Sequence, residues 1–142
     1  QLDLNGTNVL DCGCGTGVLG IAAAKKQAQK IIAYDIDEWS VNNTQHNACI
    51  NNVSNIETFK ADSAILSRIK IRFDLVLANI NRNILLADMP TFSSVMKSDG
   101  TLVLSGFYKE DCALLLAKAE ICCAILSPLS DTSLFQSNSF NS

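Results

Sequence analysis

The residues best suited to chemistry sit in one short loop, Asp11-Cys12-Gly13-Cys14-Gly15-Thr16-Gly17. It follows the apolar pair Val9-Leu10 and precedes a run of small and apolar residues, Val18 to Ala24, closed by Lys25-Lys26. Alternate glycines between a strand and a helix allow a sharp turn and leave backbone amides bare. The first amides of the helix have no partner inside it and point at whatever the loop holds. Such a cradle suits a carboxylate or a phosphate. Asp35 closes the next apolar run, Ile31-Ile32-Ala33-Tyr34. A carboxylate at that place can accept hydrogen bonds from both hydroxyls of a ribose. Asp37, directly before Glu38-Trp39, is the better candidate for capping the following helix.

Three later positions carry possible chemistry. Asp62, within Ala61-Asp62-Ser63, either accepts from an adenine amino group or caps a short helix. Asn79 follows the strongest apolar run, Phe73 to Ala78. Its amide can accept from a substrate amine; the alternative is a turn asparagine, one of three nearby. In Ser105-Gly106-Phe107-Tyr108, Gly106 permits close approach, while Phe107 reads as core. The six cysteines include no C-x-x-C pair, and His46 is the single histidine. No metal site is expected from that spacing, and the thiols read as free in a reducing compartment.

The elements that must position these residues follow from the changing period of the apolar pattern. Strands are expected at Val9-Leu10, Ile31–Tyr34, Ile56–Lys60, Phe73–Ala78 and Thr101–Ser105. Helices are expected from Val18, from Glu38 to Ile50 with Asn51-Asn52 as exit, from Asn83 to Met96, and from Lys109 to Ala119. Pro90 implies a kink or a late start in the third, and Ser98-Asp99-Gly100 reads as a turn. This alternation specifies an α/β fold: a doubly wound, mostly parallel sheet in three α/β/α layers. Ligands in such sheets bind at the carboxyl ends of strands near the switch in strand order. Every residue singled out above falls at such an end. Residues 1–126 read as one domain. Residues 127–142 read as a tail, either disordered or contributing to a final hairpin of Cys122–Leu126 with Leu134–Phe140.

With 142 residues, 48% of them hydrophobic, the chain can bury a real core. Its net charge of -3 leaves no basic footprint for nucleic acid. No apolar run is long enough to span a membrane. The chain opens Gln1-Leu2-Asp3-Leu4 without an initiator Met or a basic leader, and reads as a fragment with upstream material missing. Nothing indicates an oligomeric state. Gly15-Thr16-Gly17-Val18-Leu19-Gly20 also fits the dinucleotide pattern, with Asp35 near the expected distance. In that alignment positions 11 and 13 belong to a buried strand, yet they are Asp and Gly. An NAD(P)-binding oxidoreductase domain is therefore the alternative, and an inactive folded fragment a third.

Taken together, residues 6–120 resemble class I S-adenosylmethionine-dependent methyltransferases. A narrower resemblance is to the ribosomal protein L11 methyltransferase family. It rests on Val-Leu-Asp-Cys-Gly-Cys-Gly-Thr-Gly (9–17), Asp-Ile-Asp-Glu-Trp (35–39), Leu-Ala-Asn-Ile-Asn-Arg-Asn-Ile-Leu (77–85) and Leu-Ser-Gly-Phe-Tyr (104–108). The resemblance implies a Rossmann-like fold with S-adenosyl-L-methionine as cofactor, and contacts to it at Gly13, Asp35 and Asn79. It implies methylation of lysine and N-terminal amino groups on a large-subunit ribosomal protein, in a bacterial cytoplasm. The candidate cofactor-binding set is Asp11, Gly13, Gly15, Thr16, Gly17, Asp35, Ile36, Asp62, Ser63 and Asn79. Asn79 is also the candidate catalytic residue, orienting the amine. Two departures stand out. The family's N-terminal substrate-recognition domain and a threonine-containing loop before the catalytic domain have no counterpart here. Nor does Ile121 onward show the Trp-containing strand with which members close.

Overall fold

The computed structural model describes residues 3–122. Five strands form one parallel sheet: β1 (Asn8–Cys12), β2 (Lys30–Asp35), β3 (Ile56–Lys60), β4 (Phe73–Asn79) and β5 (Met96–Ser105). Their order is β3-β2-β1-β4-β5, so the chain reverses direction across the sheet between β1 and β4. The central strands read as unbroken apolar runs because both of their faces are covered. Val9, Leu10, Ile31 and Val76 are fully buried.

Helices α1 (Val18–Lys25) and α2 (Glu38–Ile50) cover one face. There Val9, Ile31, Leu75 and Leu77 pack with Ala23 and Ala28. Helix α3 (Arg82–Val95), helix α4 (Cys112–Cys122) and a 3-10 helix at Ser63–Arg68 cover the other. Leu85, Met89, Phe92 and Leu115 fill that side against Leu10, Ile32, Val76 and Leu104. Each such fully buried side chain contributes about 1.5–3 kcal/mol. The expected doubly wound, three-layer architecture is therefore the one observed.

Helix limits follow local chemistry. The Asp37 side chain accepts from the Trp39 amide at the start of α2, as expected. Asn52, in the left-handed region at φ 57°, takes the chain out of it. The Asn81 side chain accepts from the Ile84 amide and starts α3, which then continues unbroken through the exposed Pro90. The late start anticipated from that proline does not occur. Helix α4 begins after a 3-10 turn at Lys109–Asp111.

The turn expected at Ser98-Asp99-Gly100 is corrected. These residues lie within β5, whose register against β4 slips between Met96, paired with Phe73, and Thr101, paired with Leu75. Between these pairs one residue of β4, Asp74, therefore opposes four of β5, residues 97–100. The edge strand absorbs the surplus as an irregularity instead of ending, and Lys97 ties it to Asp74 at 3.0 Å. Cys122, expected to open a hairpin, ends α4, and the rest of that hairpin lies outside the described residues.

Candidate functional site

The carboxyl ends of all five strands open on one cleft of about 1520 Å³. Ordinary small-molecule sites measure roughly 300–1,000 Å³. The space suffices for a cofactor and a second reactant. It lies beside the β1–β4 reversal, where doubly wound sheets place ligands.

The glycine loop forms its wall. Gly13, Gly15 and Gly17 all have positive φ, at 67°, 56° and 82°. The amides of Gly13 and Cys14 both donate to the Tyr34 carbonyl, at 2.9 and 3.1 Å, which fastens the loop to the end of β2. Gly15 faces open space: a Cβ there would meet nothing within 4 Å. Gly17 is different. It is the left-handed residue before α1, and a Cβ on it would lie 2.8 Å from the Thr44 methyl group. Nine of the ten candidate residues line the cleft; Gly17 does not, because it is buried against α2.

Asp35 sits across from the loop. Its two carboxylate oxygens accept from the amides of Gly15 and Asp37, each at 3.0 Å. Each oxygen retains lone-pair capacity for an incoming hydroxyl. Ile36 follows, 69% exposed on the cleft rim. Asp62 caps the 3-10 helix by accepting from the Ala64 amide at 2.9 Å, and its carboxylate remains exposed on the cleft. The Ser63 hydroxyl donates to Asp88 of α3 at 2.9 Å.

Asp11 lies at the floor, only 1% exposed. Its carboxylate accepts from the Gly20 amide at 3.1 Å. Burial pushes its pKa up from 3.8 to about 6, with the Asp35 charge adding to the rise and the Gly20 hydrogen bond opposing it. One first-turn amide of α1 is thus already used by the protein. Those of Val18 and Leu19, on the cleft wall, are left to receive an anion.

Asn79 ends β4 in register with Ser105 of β5 and is exposed in the cleft. A Cβ at position 106 would come within 2.8 Å of its Oδ1, so Gly106 makes room for this amide. Arg82 and Asp111, 2.9 Å apart, tie the start of α3 to the segment after β5. Phe107 is buried in the core, as expected, and Tyr108 is exposed. His46 is exposed on α2 and lines no part of the cleft.

Two residues with clear roles in the site's architecture escaped the sequence reading. The hydroxyl of Thr44, fully buried on α2, is shared between the Gly15 carbonyl at 2.9 Å and the Cys14 sulfur at 3.3 Å. The Asn47 side chain donates to the Thr16 carbonyl at 2.8 Å. The available signal was a polar residue inside the buried stripe Val41, Thr44, Ala48 of α2. Burial pushes the Cys14 thiol up to about 11 against the opposing Thr44 hydrogen bond, so it stays protonated and unreactive.

Comparison with known proteins places the chain in a family. The sequence model of the family described as ribosomal protein L11 methyltransferase (PrmA) matches residues 1–125. A ribosomal protein L11 methyltransferase of Porphyromonas gingivalis is 48% identical over 121 residues, covering 85% of this chain and 41% of that protein. One of Phocaeicola vulgatus is 43% identical over 120 residues, covering 84% and 42%. The crystal structure of a ribosomal protein L11 methylase from Lactobacillus delbrueckii subsp. bulgaricus superimposes with a TM-score of 0.76 at 30% identity, covering 84% of this chain and 61% of that one. The chain spans about two fifths of the length of the curated relatives it matches. It belongs to the ribosomal protein L11 methyltransferase family.

Proposed function

We propose that this chain is the cofactor-binding and catalytic part of an enzyme that transfers a methyl group from S-adenosyl-L-methionine to lysine and N-terminal amino groups of ribosomal protein L11. The observation that carries this reading is the pairing of the bare glycine loop with Asp35 across one cleft, bridged by the Gly15 amide. The residues present fit such a cofactor. Gly15 leaves an open cradle, the start of α1 offers amides to a carboxylate, and Asp35 offers lone pairs to a ribose. Asp62, Ser63 and Ile36 would border the base, and Thr16 the sugar side.

When bound, S-adenosylmethionine supplies a methyl carbon already activated by its sulfonium. The chain's own task is to hold a neutral amine in line and keep water away. Asn79, at the end of β4 on the cleft, would accept from an amine N–H through Oδ1 and so fix the direction of the nitrogen lone pair. Orientation of this kind lowers a barrier by about 7–11 kcal/mol in favourable cases. No general base is required by this arrangement.

The names of the relatives support the methyltransferase reading and give none to a dinucleotide oxidoreductase. Residues 1–126 constitute the methyltransferase domain in this reading. We place the protein in the cytoplasm, because its relatives are named for methylation of a ribosomal protein. Parallel calorimetric titrations with S-adenosylhomocysteine and NADH test the cofactor. Saturable binding of the first alone is expected. Binding of NADH alone overturns the proposal, and no response to either marks an inactive fragment.

A further inference from the structure

Gly15 is held from both sides. Its amide donates to Asp35 at 3.0 Å, and its carbonyl accepts from Thr44 at 2.9 Å. The next carbonyl, Thr16, accepts from Asn47 one turn further along α2. At Gly17, Thr44 occupies the space that a Cβ would need. The three glycines of the loop are among the residues most costly to order. Their order is supplied by the Tyr34 carbonyl and Asp35 at the end of β2, by the Gly17 amide donating to the Cys14 carbonyl, and by Thr44 and Asn47 of α2.

We propose that Thr44 is a positioning residue for the cofactor. Its hydroxyl locks the Gly15 peptide so that the loop and the sugar-binding carboxylate form one preorganised unit before ligand arrives. This rests on the cofactor reading given above. Thr44 lines no part of the cleft, so it acts through the residues it holds, Gly15 with its partner Asp35, and Cys14. Without the hydroxyl, the Gly15 carbonyl is released inside the protein and the amide on its other side is free to rotate off Asp35. Binding must then order the loop at its own expense, which lowers affinity without touching the ligand.

The test compares the full chain with Thr44→Val, which keeps shape and loses the hydroxyl, and Thr44→Ser, which keeps the hydroxyl. The readouts are S-adenosylhomocysteine affinity by calorimetry, taken well below each Tm, and hydrogen exchange at the Gly15 amide. Thr44→Val is expected to weaken binding about 2- to 12-fold, the worth of one hydrogen bond. It should also speed exchange at Gly15, and Thr44→Ser should restore both. A Thr44→Val chain that is less stable yet binds at wild-type affinity overturns the proposal and leaves Thr44 a packing residue. Should Thr44→Val fail to fold, Thr44→Ala, which also loses the hydroxyl, carries the same test with Thr44→Ser as its reference. Weaker binding with faster Gly15 exchange supports the proposal there, and unchanged values overturn it. A wild-type chain that does not bind S-adenosylhomocysteine overturns the cofactor reading itself, a result distinct from wild-type affinity in the variants.

Discussion

Asp11 makes the protein's stability depend on pH in a direction opposite to most carboxylates. Its side chain is buried at the cleft floor, and burial, with the Asp35 charge adding, raises its pKa from 3.8 to about 6. The folded state therefore keeps a proton that the unfolded chain releases at lower pH. The stability this proton confers is fully present below pH 3.8 and is lost as pH rises through 6. The rise from 3.8 to about 6 amounts to about 3 kcal/mol at about 1.4 kcal/mol per pH unit. The variant Asp11→Asn removes the titration, and its side-chain oxygen can still accept from Gly20. Urea unfolding of both proteins at pH steps from 4 to 8 isolates this group, because every other titrating residue is shared. The wild type should lose about 2 kcal/mol relative to Asp11→Asn over that interval, most of it below pH 6.5. With a urea m-value of about 1–3 kcal/mol/M, the midpoints should shift relative to one another by about 0.7–2 M. A difference that stays constant across the range would refute the reasoning, since it would mean that Asp11 titrates alike in both states.

Three further outcomes are expected. Gly15→Ala and Gly6→Ala both place a side chain at positive φ with no atom within 4 Å, so each should cost about 1–2 kcal/mol in chemical unfolding. Only Gly15→Ala should also weaken S-adenosylhomocysteine binding in calorimetry; equal effects on binding would show that Gly15 does not face the ligand. Asp35→Ala removes the acceptor for two backbone amides as well as for the sugar, and affinity should fall at least tenfold, given about 1.5–3 kcal/mol for a hydrogen bond to a charged group. In a full-length enzyme, Asn79→Ala should slow single-turnover methylation of the protein substrate while cofactor affinity changes less than the rate; an unchanged rate removes it from the mechanism.

Much of this was legible in the sequence because the central strands are buried on both faces and announce themselves as unbroken apolar runs. Val9-Leu10, Ile31–Tyr34 and Phe73–Ala78 form β1, β2 and β4 within a residue or two. The glycine loop was legible for a related reason: only glycine tolerates three positive φ values in five residues. The turn at Ser98-Asp99-Gly100 was misplaced because turn-forming residues also suit a bulge on an edge strand, and local composition does not say which occurs. Gly17 was grouped with the ligand cradle because of its neighbours, yet the side where a Cβ would sit is taken up by a helix that follows it by more than twenty residues. Thr44 was only partly legible for the same reason. Its place in the stripe Val41, Thr44, Ala48 marks it as buried, but only the fold shows which loop lies against it.

The reversal of strand order has a further consequence during synthesis. The glycine loop and Asp35 can meet once β1 and β2 have left the ribosome, because these strands are adjacent in the sheet. The neighbourhood of Asn79 has to wait, since Ser105 at the end of β5 pairs with it and Gly106 just after makes room for its side chain. A nascent chain that stops before residue 106 would thus carry the loop and Asp35 while leaving the surroundings of Asn79 unbuilt.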